Sequence, residues 1–361
     1  MDRDRLMAEA AALTRAGRPA EATALIRRAL AARPPGGAGR WAGLRDALRE
    51  RRPRGGAAPR ATPAAPPPAP ATAPPPPPAA SPPALPGRTD VRTHTGPAGE
   101  RRYALHVPAA GAGPRPLVLM LHGGTQTADA FAAATRMSEH AERHGFLVAH
   151  PEQTSEANAM RYWNWFRPQD QRRGEGEPAI LAGIVAEIAA AHPVDPDRVF
   201  VAGFSAGAAM AAVVGAAYPD VVAAVGVHSG LAVGCAHDVG SAFSAMRAAP
   251  ATAPALARGV PVVAFHGDAD TTVAVDNAAR VVEQFAGPAV AAETVAERGP
   301  GRTATRTVLR RDGAVVAERW TVHGSGHAWS GGVPGGSYTD PDGPDASAEM
   351  LRFFAEHPRR R

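Results

Sequence analysis

A serine stands at the apex of a sharp turn between a strand pattern and a helix pattern. Residues 203–207 read GFSAG, with the β-prone run RVFVA before them at 198–202 and an alanine-rich stretch after them at 206–217. A G-x-S-x-G turn in this setting strains the backbone of the serine and holds its hydroxyl exposed, and small neighbours let strand and helix approach each other. The pattern predicts that Ser205 is a nucleophile. The alternative is a glycine-rich turn without chemistry, since a chain rich in Gly, Ala and Ser can contain such a pentapeptide by chance.

Two later strand patterns end in loops that carry an aspartate and a histidine. The apolar run 261–265 leads into HGDADTTV at 266–273, and the run 319–322 leads into HGSGHAW at 323–329. Enzymes that use a serine elbow of this kind need an acid and then a base in this order, each on a loop after a later strand. The order of the motifs therefore strengthens the prediction for Ser205.

Each of these loops offers more than one candidate. Asp270 lies farther into its loop than Asp268, which is well placed to brace the turn through its own backbone N–H groups, so we predict Asp270 as the acid. We predict His327 as the base, because its glycine-flanked segment can reach Ser205 whereas His323 is still near the strand end. Three other histidines also stand at strand ends, and for these we expect backbone hydrogen bonds and no catalytic part: His122, His228 and His266.

A glycine turn upstream offers hydrogen-bond donors for an oxyanion. The run 116–121 is the clearest buried strand pattern in the chain, and His122-Gly123-Gly124 follows it directly. Such a turn can aim a backbone N–H at a developing negative oxygen, with the N–H of Ala206, the residue after the nucleophile, as the second donor. The alternative is that Gly123 and Gly124 are ordinary loop glycines.

With these residues in place, the chain resembles the esterase family of polyhydroxybutyrate (PHB) depolymerases, which also includes feruloyl and acetylxylan esterases. The similarity runs over about residues 90–357. Six stretches carry it: Leu121–Gln126, Tyr162–Phe166, Val199–Met210, His266–Val273, Gly326–Trp329 and Ser337–Pro341.

The resemblance implies roles for individual residues. Carried over position by position, it makes Ser205 the nucleophile, Asp270 the orienting acid, His327 the base, and the N–H groups of Gly124 and Ala206 the oxyanion donors. The sequence departs from the family pattern at three positions, where many relatives have cysteine, glycine and proline in turn: Gly124, Ala208 and Ser330.

The activity that the resemblance implies is hydrolysis of carboxylic esters through an acyl-enzyme. The expected substrate is poly- or oligo-3-hydroxybutyrate or a similar short-acyl ester, with a feruloyl or acetylxylan esterase as the alternative. A third hypothesis is that the protein is a non-catalytic tether on polymer granules. No metal and no organic cofactor is expected, because the chain has no Cys/His cluster and no phosphate-binding glycine loop.

Two tryptophans are candidates for substrate binding. Trp163 and Trp165 fall on the long loop after the strand pattern 146–150, near the edge of the sheet where substrate arrives. Exposed aromatic rings there would offer a polymer chain or an aromatic acyl group an apolar platform. The alternative is that one or both tryptophans pin the loop to the core.

Strand and helix patterns alternate from residue 89 onward, which predicts a mostly parallel sheet with helices on both faces. The family resemblance implies that this is the α/β-hydrolase fold. Ligands bind such sheets beyond the carboxyl ends of the strands, where all the candidate residues fall. The predicted strands are 101–107, 116–121, 146–150, 198–202, 222–228, 260–265 and 303–322. The predicted helices are 129–144, 178–191, 206–217, 276–286 and 344–356.

The amino-terminal quarter of the chain has a different composition. Between residues 61 and 86, 13 of 26 residues are proline, and such a segment cannot bury a core. Before it, two stretches with helical spacing flank a Gly-Arg-Pro break at 17–19. We predict a basic helical hairpin arm at 1–55, a disordered Pro/Ala-rich linker at 56–88 and an esterase domain at 89–361.

Charge is concentrated in the arm. Residues 1–60 hold 14 arginines and 6 acidic residues, a balance of +8, whereas the whole chain has a net charge of +5. A basic arm can contact an anionic surface or a polymer granule; a specific nucleic-acid partner is not expected, and no stretch is apolar enough for a transmembrane segment. The sequence shows no secretory signal pattern, which favours the cytoplasm, while the family resemblance leaves an extracellular location open.

Overall fold

The computed structural model describes most of the predicted esterase domain. The predicted arm at 1–55 and nearly all of the predicted linker at 56–88 lie outside the described residues. The described residues are 85–111, 113–252, 254, 256–287 and 291–359.

The described residues form a large sheet, a two-stranded sheet and covering helices. The strands are β1 (Arg88–Gly96), β2 (Gly99–Val107), β3 (Arg115–Leu121), β4 (Leu147–Pro151), β5 (Val194–Phe204), β6 (Ala224–His228), β7 (Val262–Gly267), β8 (Ala291–Arg298), β9 (Thr303–Arg311), β10 (Ala314–Val322), β11 (Trp329–Ser330) and β12 (Thr339–Asp340). The helices are α1 (Ala128–Thr135), α2 (Met137–His144), α3 (Gly176–Ala191), α4 (Ala206–Ala217), α5 (Val239–Arg247), α6 (Asp276–Ala286) and α7 (Ala346–Glu356).

The large sheet has ten strands in the order β1-β2-β4-β3-β5-β6-β7-β10-β9-β8. The six central strands of this order, β4-β3-β5-β6-β7-β10, are parallel to one another. Antiparallel pairs continue the sheet at both edges, β1 and β2 on one side and β9 and β8 on the other. A mostly parallel sheet of this kind brings the carboxyl ends of β3, β5, β7 and β10 to one edge, and the loops after these strands carry the predicted site.

Helices cover both faces of the sheet, as the alternating pattern predicts. Along β3, Leu117, Leu119 and Leu121 belong to the hydrophobic core under α3, α4 and α6, while Val118 and Met120 belong to the core under α1, α2 and α7. Successive side chains of a strand point to opposite faces, so a strand in the middle of this layered fold is apolar at every position. This explains why the run 116–121 has the clearest strand pattern in the sequence.

Two predicted elements differ from the observed ones. The predicted strand 303–322 is a hairpin, β9 and β10, because Asp312 and Gly313 both adopt positive φ values, 51° and 80°, and reverse the chain. The predicted helix 129–144 is two helices, because Arg136 between them has a φ of 54°. Strands β1, β8, β11 and β12 and helix α5 were not predicted.

None of the described helices combines the length and the apolar character that crossing a membrane would require.

Candidate active site

Ser205 lies in a strained turn between β5 and α4. Its φ of 54° and ψ of −118° are unusual for a residue with a side chain, and its backbone N–H donates to the carbonyl of His228 over 2.8 Å. Gly203 and Gly207 make the turn possible. A Cβ at Gly203 would lie 2.5 Å from the carbonyl carbon of Gly207, and one at Gly207 would collide with the carbonyl oxygen of Leu121.

Three side chains from separate loops form one hydrogen-bonded chain. The Oγ of Ser205 lies 2.9 Å from Nε2 of His327, and Nδ1 of His327 lies 2.6 Å from Oδ2 of Asp270. An ionised carboxylate only accepts, so Nδ1 carries the proton and Nε2 is left to accept the hydroxyl proton of Ser205. The structure thus brings together the three residues that the sequence singles out. It does so across 122 residues of sequence between Ser205 and His327.

The carboxylate of Asp270 has three hydrogen-bonding neighbours in addition to His327. Its Oδ1 accepts the backbone N–H groups of Thr272 and Val273, over 2.7 and 2.9 Å. Its Oδ2 also lies 3.3 Å from Nε2 of His266, which donates to the carbonyl of Val273 as well. Burial on its own would raise the pKa of Asp270, but hydrogen bonds from His266 and His327 outweigh burial and lower the pKa below its usual range. The carboxylate therefore stays ionised at any pH near neutrality.

Asp268 and His323 form a second acid–histidine pair outside the chain of three. Nδ1 of His323 lies 2.8 Å from Oδ2 of Asp268, and the backbone N–H of Gly324 donates to Oδ1 over 2.7 Å. The Nε2 of His323 contacts the hydroxyl of Thr305 over 2.8 Å. Asp268 therefore ties the loop after β7 to the loop after β10, whereas the sequence suggested a brace within its own turn.

The glycine turn after β3 is held in place from several sides. His122 donates from Nδ1 to the carbonyl of Gly123 over 2.8 Å, and its Nε2 accepts the backbone N–H of Gln153 over 2.9 Å. Gln126 accepts the N–H of Gly123 and donates to the carbonyl of Ser337, over 2.8 and 2.9 Å. The turn leads into Gly124, which lines the same cleft as Ser205.

His122, His228 and His266, for which we predicted no catalytic part, form hydrogen bonds with the backbone. His228 accepts the N–H of Ser330 over 3.0 Å, and burial lowers its pKa well below the usual value. His122 and His266 bind the backbone as described above. His266 was not predicted to touch Asp270; its position four residues before the acid in the motif HGDAD was the available signal.

The two tryptophans lie in the core, which contradicts the prediction of an exposed platform. Trp163 is fully buried and Trp165 is 4% exposed. The indole N–H of Trp163 donates to the carbonyl of His122 over 3.1 Å, so this side chain supports the glycine turn from behind. Tyr162, the residue before it, reaches the cleft instead.

A narrow cleft opens above Ser205, with about 20 Å³ that the centre of a water-sized sphere can reach. Two tyrosines, one phenylalanine and one threonine surround the candidate residues. The lining consists of Gly124, Tyr162, Phe204, Ser205, Thr272, His327 and Tyr338. The ring of Phe204 lies 4.8 Å from that of His327, and the ring of Tyr338 lies 6.2 Å from it on another side. These contacts restrict the orientation of the imidazole.

The described residues contain no group of three or more His, Cys, Asp or Glu side chains suited to hold a metal ion. The hydrogen-bonded Ser205, His327 and Asp270 need no metal ion for acyl transfer, since serine, histidine and aspartate supply the nucleophile and the proton transfer themselves.

Comparison with known proteins identifies the family. Residues 101–307 match the family described as Esterase PHB depolymerase, which is more than half of the chain. The chain belongs to this family. It is 36% identical over 249 residues to poly(3-hydroxyalkanoate) depolymerase C of Paucimonas lemoignei, a match that covers 63% of this chain and 58% of that protein. It is 29% identical over 191 residues to the probable acetylxylan esterase A of Aspergillus clavatus, covering 47% and 61% of the two chains.

The matches cover less than two thirds of the length of these two relatives. Among solved structures, the acetyl xylan esterase from Aspergillus awamori has a TM-score of 0.57 at 20% identity, with 74% of this chain and 99% of that chain aligned. At this identity the likeness concerns the fold, which is the α/β-hydrolase fold that the sequence predicts.

Proposed function

We propose that this protein is a serine hydrolase that cleaves carboxylic ester bonds through an acyl-enzyme. One observation carries the proposal: the hydrogen-bonded chain from Ser205 through His327 to Asp270, with Ser205 at a positive-φ turn that faces a cleft. Membership of the Esterase PHB depolymerase family supports the same reaction class.

In the proposed mechanism, Nε2 of His327 takes the hydroxyl proton as Oγ of Ser205 attacks the ester carbonyl. Asp270 fixes the proton on Nδ1 and stabilises the imidazolium that forms. His327 then gives its proton to the departing alcohol oxygen, which leaves Ser205 acylated. A water molecule then attacks the acyl carbonyl while His327 takes its proton. The carboxylic acid leaves, and His327 returns the proton to Ser205.

The negative oxygen of each tetrahedral intermediate needs donors that are in place before the reaction. We assign this part to the backbone N–H groups of Gly124 and Ala206. Ala206 is the first residue of α4, and the first N–H groups of a helix have no partner inside it, so this one is available to a ligand. One such donor contributes on the order of 10² to 10³ in rate.

The substrate that we favour is poly- or oligo-3-hydroxybutyrate or a similar short-acyl ester. The relative with the higher identity is a poly(3-hydroxyalkanoate) depolymerase, and the cleft is narrow and lined by aromatic rings. A feruloyl or acetylxylan esterase is the alternative, because relatives with these names also match. The cytoplasmic location and the contact of the basic arm with a granule or anionic surface stay predictions.

The test is a panel of 3-hydroxybutyrate oligomers, feruloyl sugars, acetylated xylo-oligosaccharides and p-nitrophenyl acetate, assayed with wild type, Ser205→Ala and Ser244→Ala. We expect Ser205→Ala to lose a factor on the order of 10⁶ in kcat on every hydrolysed ester. Ser244 is exposed on α5 and serves as the matched control, with unchanged rates. Retention of more than a tenth of the wild-type rate in Ser205→Ala would exclude Ser205 as the nucleophile. A wild type inactive on the whole panel would favour the non-catalytic tether.

A further inference from the structure

The ring of Tyr162 occupies the space where other residue types at position 124 would place a side chain. A Cβ built on Gly124 lies 2.5 to 2.6 Å from three carbons of that ring, Cζ and both Cε atoms. Such distances do not occur between non-bonded atoms, so a side chain at 124 and the ring at its present place exclude each other. Gly124 and Tyr162 therefore form a matched pair on one wall of the cleft.

We propose that Tyr162 is a specificity-determining residue that limits the length of the acyl group the cleft accepts; this inference rests on the proposed ester hydrolysis. The ring lines the cleft together with Ser205 and Gly124. It stands beside the glycine turn, so an acyl chain extending from the carbonyl along this wall meets the phenol.

Residues on both sides of Tyr162 form hydrogen bonds with the glycine turn. The N–H of Thr125 donates to the carbonyl of Met160 over 2.8 Å, and the indole N–H of Trp163 donates to the carbonyl of His122 over 3.1 Å. The carbonyl of Tyr162 itself accepts from the side chain of Gln153 over 2.9 Å. Moving the backbone of Tyr162 aside would break these hydrogen bonds, and leaving a buried group without its partner costs about 1 to 3 kcal/mol, so the backbone that carries the phenol is held in place.

The position of His327 assigns the two sides of the cleft. The departing alcohol oxygen must take its proton from Nε2 of His327, so the alcohol part of the ester lies on the side of that ring. Tyr338 is near this imidazole, with 6.2 Å between the two ring centres. Tyr162 lies against Gly124, next to the oxyanion donor that we assign, and we place the acyl group along this wall.

The first experiment measures kcat/KM for p-nitrophenyl esters from acetate to octanoate with the full-length wild type, Tyr162→Ala and Tyr162→Phe. We expect Tyr162→Ala to raise the octanoate-to-acetate ratio of kcat/KM by about tenfold or more, the scale on which pocket size discriminates between apolar groups. Tyr162→Phe keeps the ring and is the matched control, so its ratio should stay within about twofold of wild type. An unchanged ratio in Tyr162→Ala, at a melting temperature near that of wild type, would overturn the proposal.

A second experiment keeps the proposal testable if Tyr162→Ala loses stability. Gly124→Ala places a Cβ where the ring stands, so alone it should lower kcat/KM for p-nitrophenyl acetate. In the Tyr162→Ala background the space is free, and the same substitution should then cost at most a small fraction of that loss. Additive losses in this double-mutant cycle would show that the two positions do not compete for space and would overturn the proposal.

These outcomes separate the inference from the proposed function. A wild type that hydrolyses none of the esters contradicts the ester hydrolase itself. A wild type that hydrolyses them with the same chain-length profile as Tyr162→Ala leaves the hydrolase intact and contradicts only the part assigned to Tyr162.

Discussion

Asp270 and Asp268 stand two residues apart, and each binds a histidine from the loop after β10. Asp270 holds His327 and is buried, whereas Asp268 holds His323 and is 38% exposed. This difference in burial gives the two carboxylates different roles. A buried carboxylate with four hydrogen-bonding neighbours orients one imidazole, while an exposed pair exchanges its partners with water and contributes little.

We expect Asp270→Asn to lower kcat by about 10⁴, because the amide cannot hold the Nδ1–H tautomer of His327. Asp268→Asn is the matched control, and its kcat on the same short-acyl ester should stay within about tenfold of wild type. The comparison uses both variants at pH 7 with folding checked by circular dichroism. Equal losses, or the larger loss at Asp268, would move the assignment to the outer pair.

The sequence predicted which residues meet in this site because chain order and strand ends determine it. Ser205, Asp270 and His327 follow three strand patterns, and parallel neighbours bring their ends to one edge. The contact of His323 with Asp268 depends on the register of β7 against β10, which no local sequence pattern predicts. The burial of Trp163 depends on a loop crossing behind the glycine turn, and spacing along the loop could not show it.

At the scale of elements, the loop that carries Tyr162 is tied to the start of α3 by a buried glutamate. Glu177 is 4% exposed and accepts from both the backbone N–H and the side-chain amide of Asn164, each over 2.7 Å. It also accepts from the side-chain amide of Gln153 over 2.5 Å. Burial raises the pKa of Glu177, and its hydrogen bonds and the nearby Arg101 oppose this shift in part.

Glu177→Gln should therefore destabilise the fold although it barely changes shape. One terminal oxygen becomes an NH₂ group that faces donors, so at least one buried donor loses its partner at a cost of about 1 to 3 kcal/mol. Urea unfolding measures the change, with Glu175→Gln, an exposed neighbour before α3, as the control that should stay within about 0.5 kcal/mol of wild type. Equal free energies of unfolding for all three proteins would show that the network does not stabilise the loop.

Element boundaries were predicted best where burial is two-sided. The strands in the middle of the sheet read as continuous apolar runs, whereas β1 and β8 are edge strands that alternate or mix polar residues and give a weaker signal. The break between α1 and α2 falls at Arg136, a residue type that seldom adopts a positive φ, so nothing in its identity marks the end of a helix. In contrast, Asp-Gly is a common two-residue hairpin turn, so Asp312-Gly313 was sufficient to predict the hairpin of β9 and β10.

At the scale of the whole molecule, the sheet encloses three histidines whose neutral forms suit their surroundings. Burial lowers the pKa of His122 to about 4 and that of His150 to about 3, and it lowers the pKa of His228 well below its usual value. The Nε2 of His150 has no hydrogen-bond partner among the described residues, so charging this ring would leave a cation without compensation. These groups link the stability of the fold to pH.

Stability should therefore fall as the solution is acidified from pH 7 to pH 5. In the unfolded chain each histidine binds a proton near pH 6.5, while in the folded chain His122 and His150 stay neutral down to about pH 4 and 3. Protons then favour the unfolded state, by roughly 2 kcal/mol per histidine over these two pH units. The lowered pKa of Asp270 does not oppose this, because its contribution is lost only below the pKa of an unfolded aspartate, near 4. Urea unfolding at pH 7 and pH 5 measures the loss. His150→Gln removes one titrating group, so its loss between the two pH values should be smaller than that of wild type by about 2 kcal/mol, whatever its stability at pH 7. An equal loss in variant and wild type would mean that His150 takes up its proton while the protein is still folded.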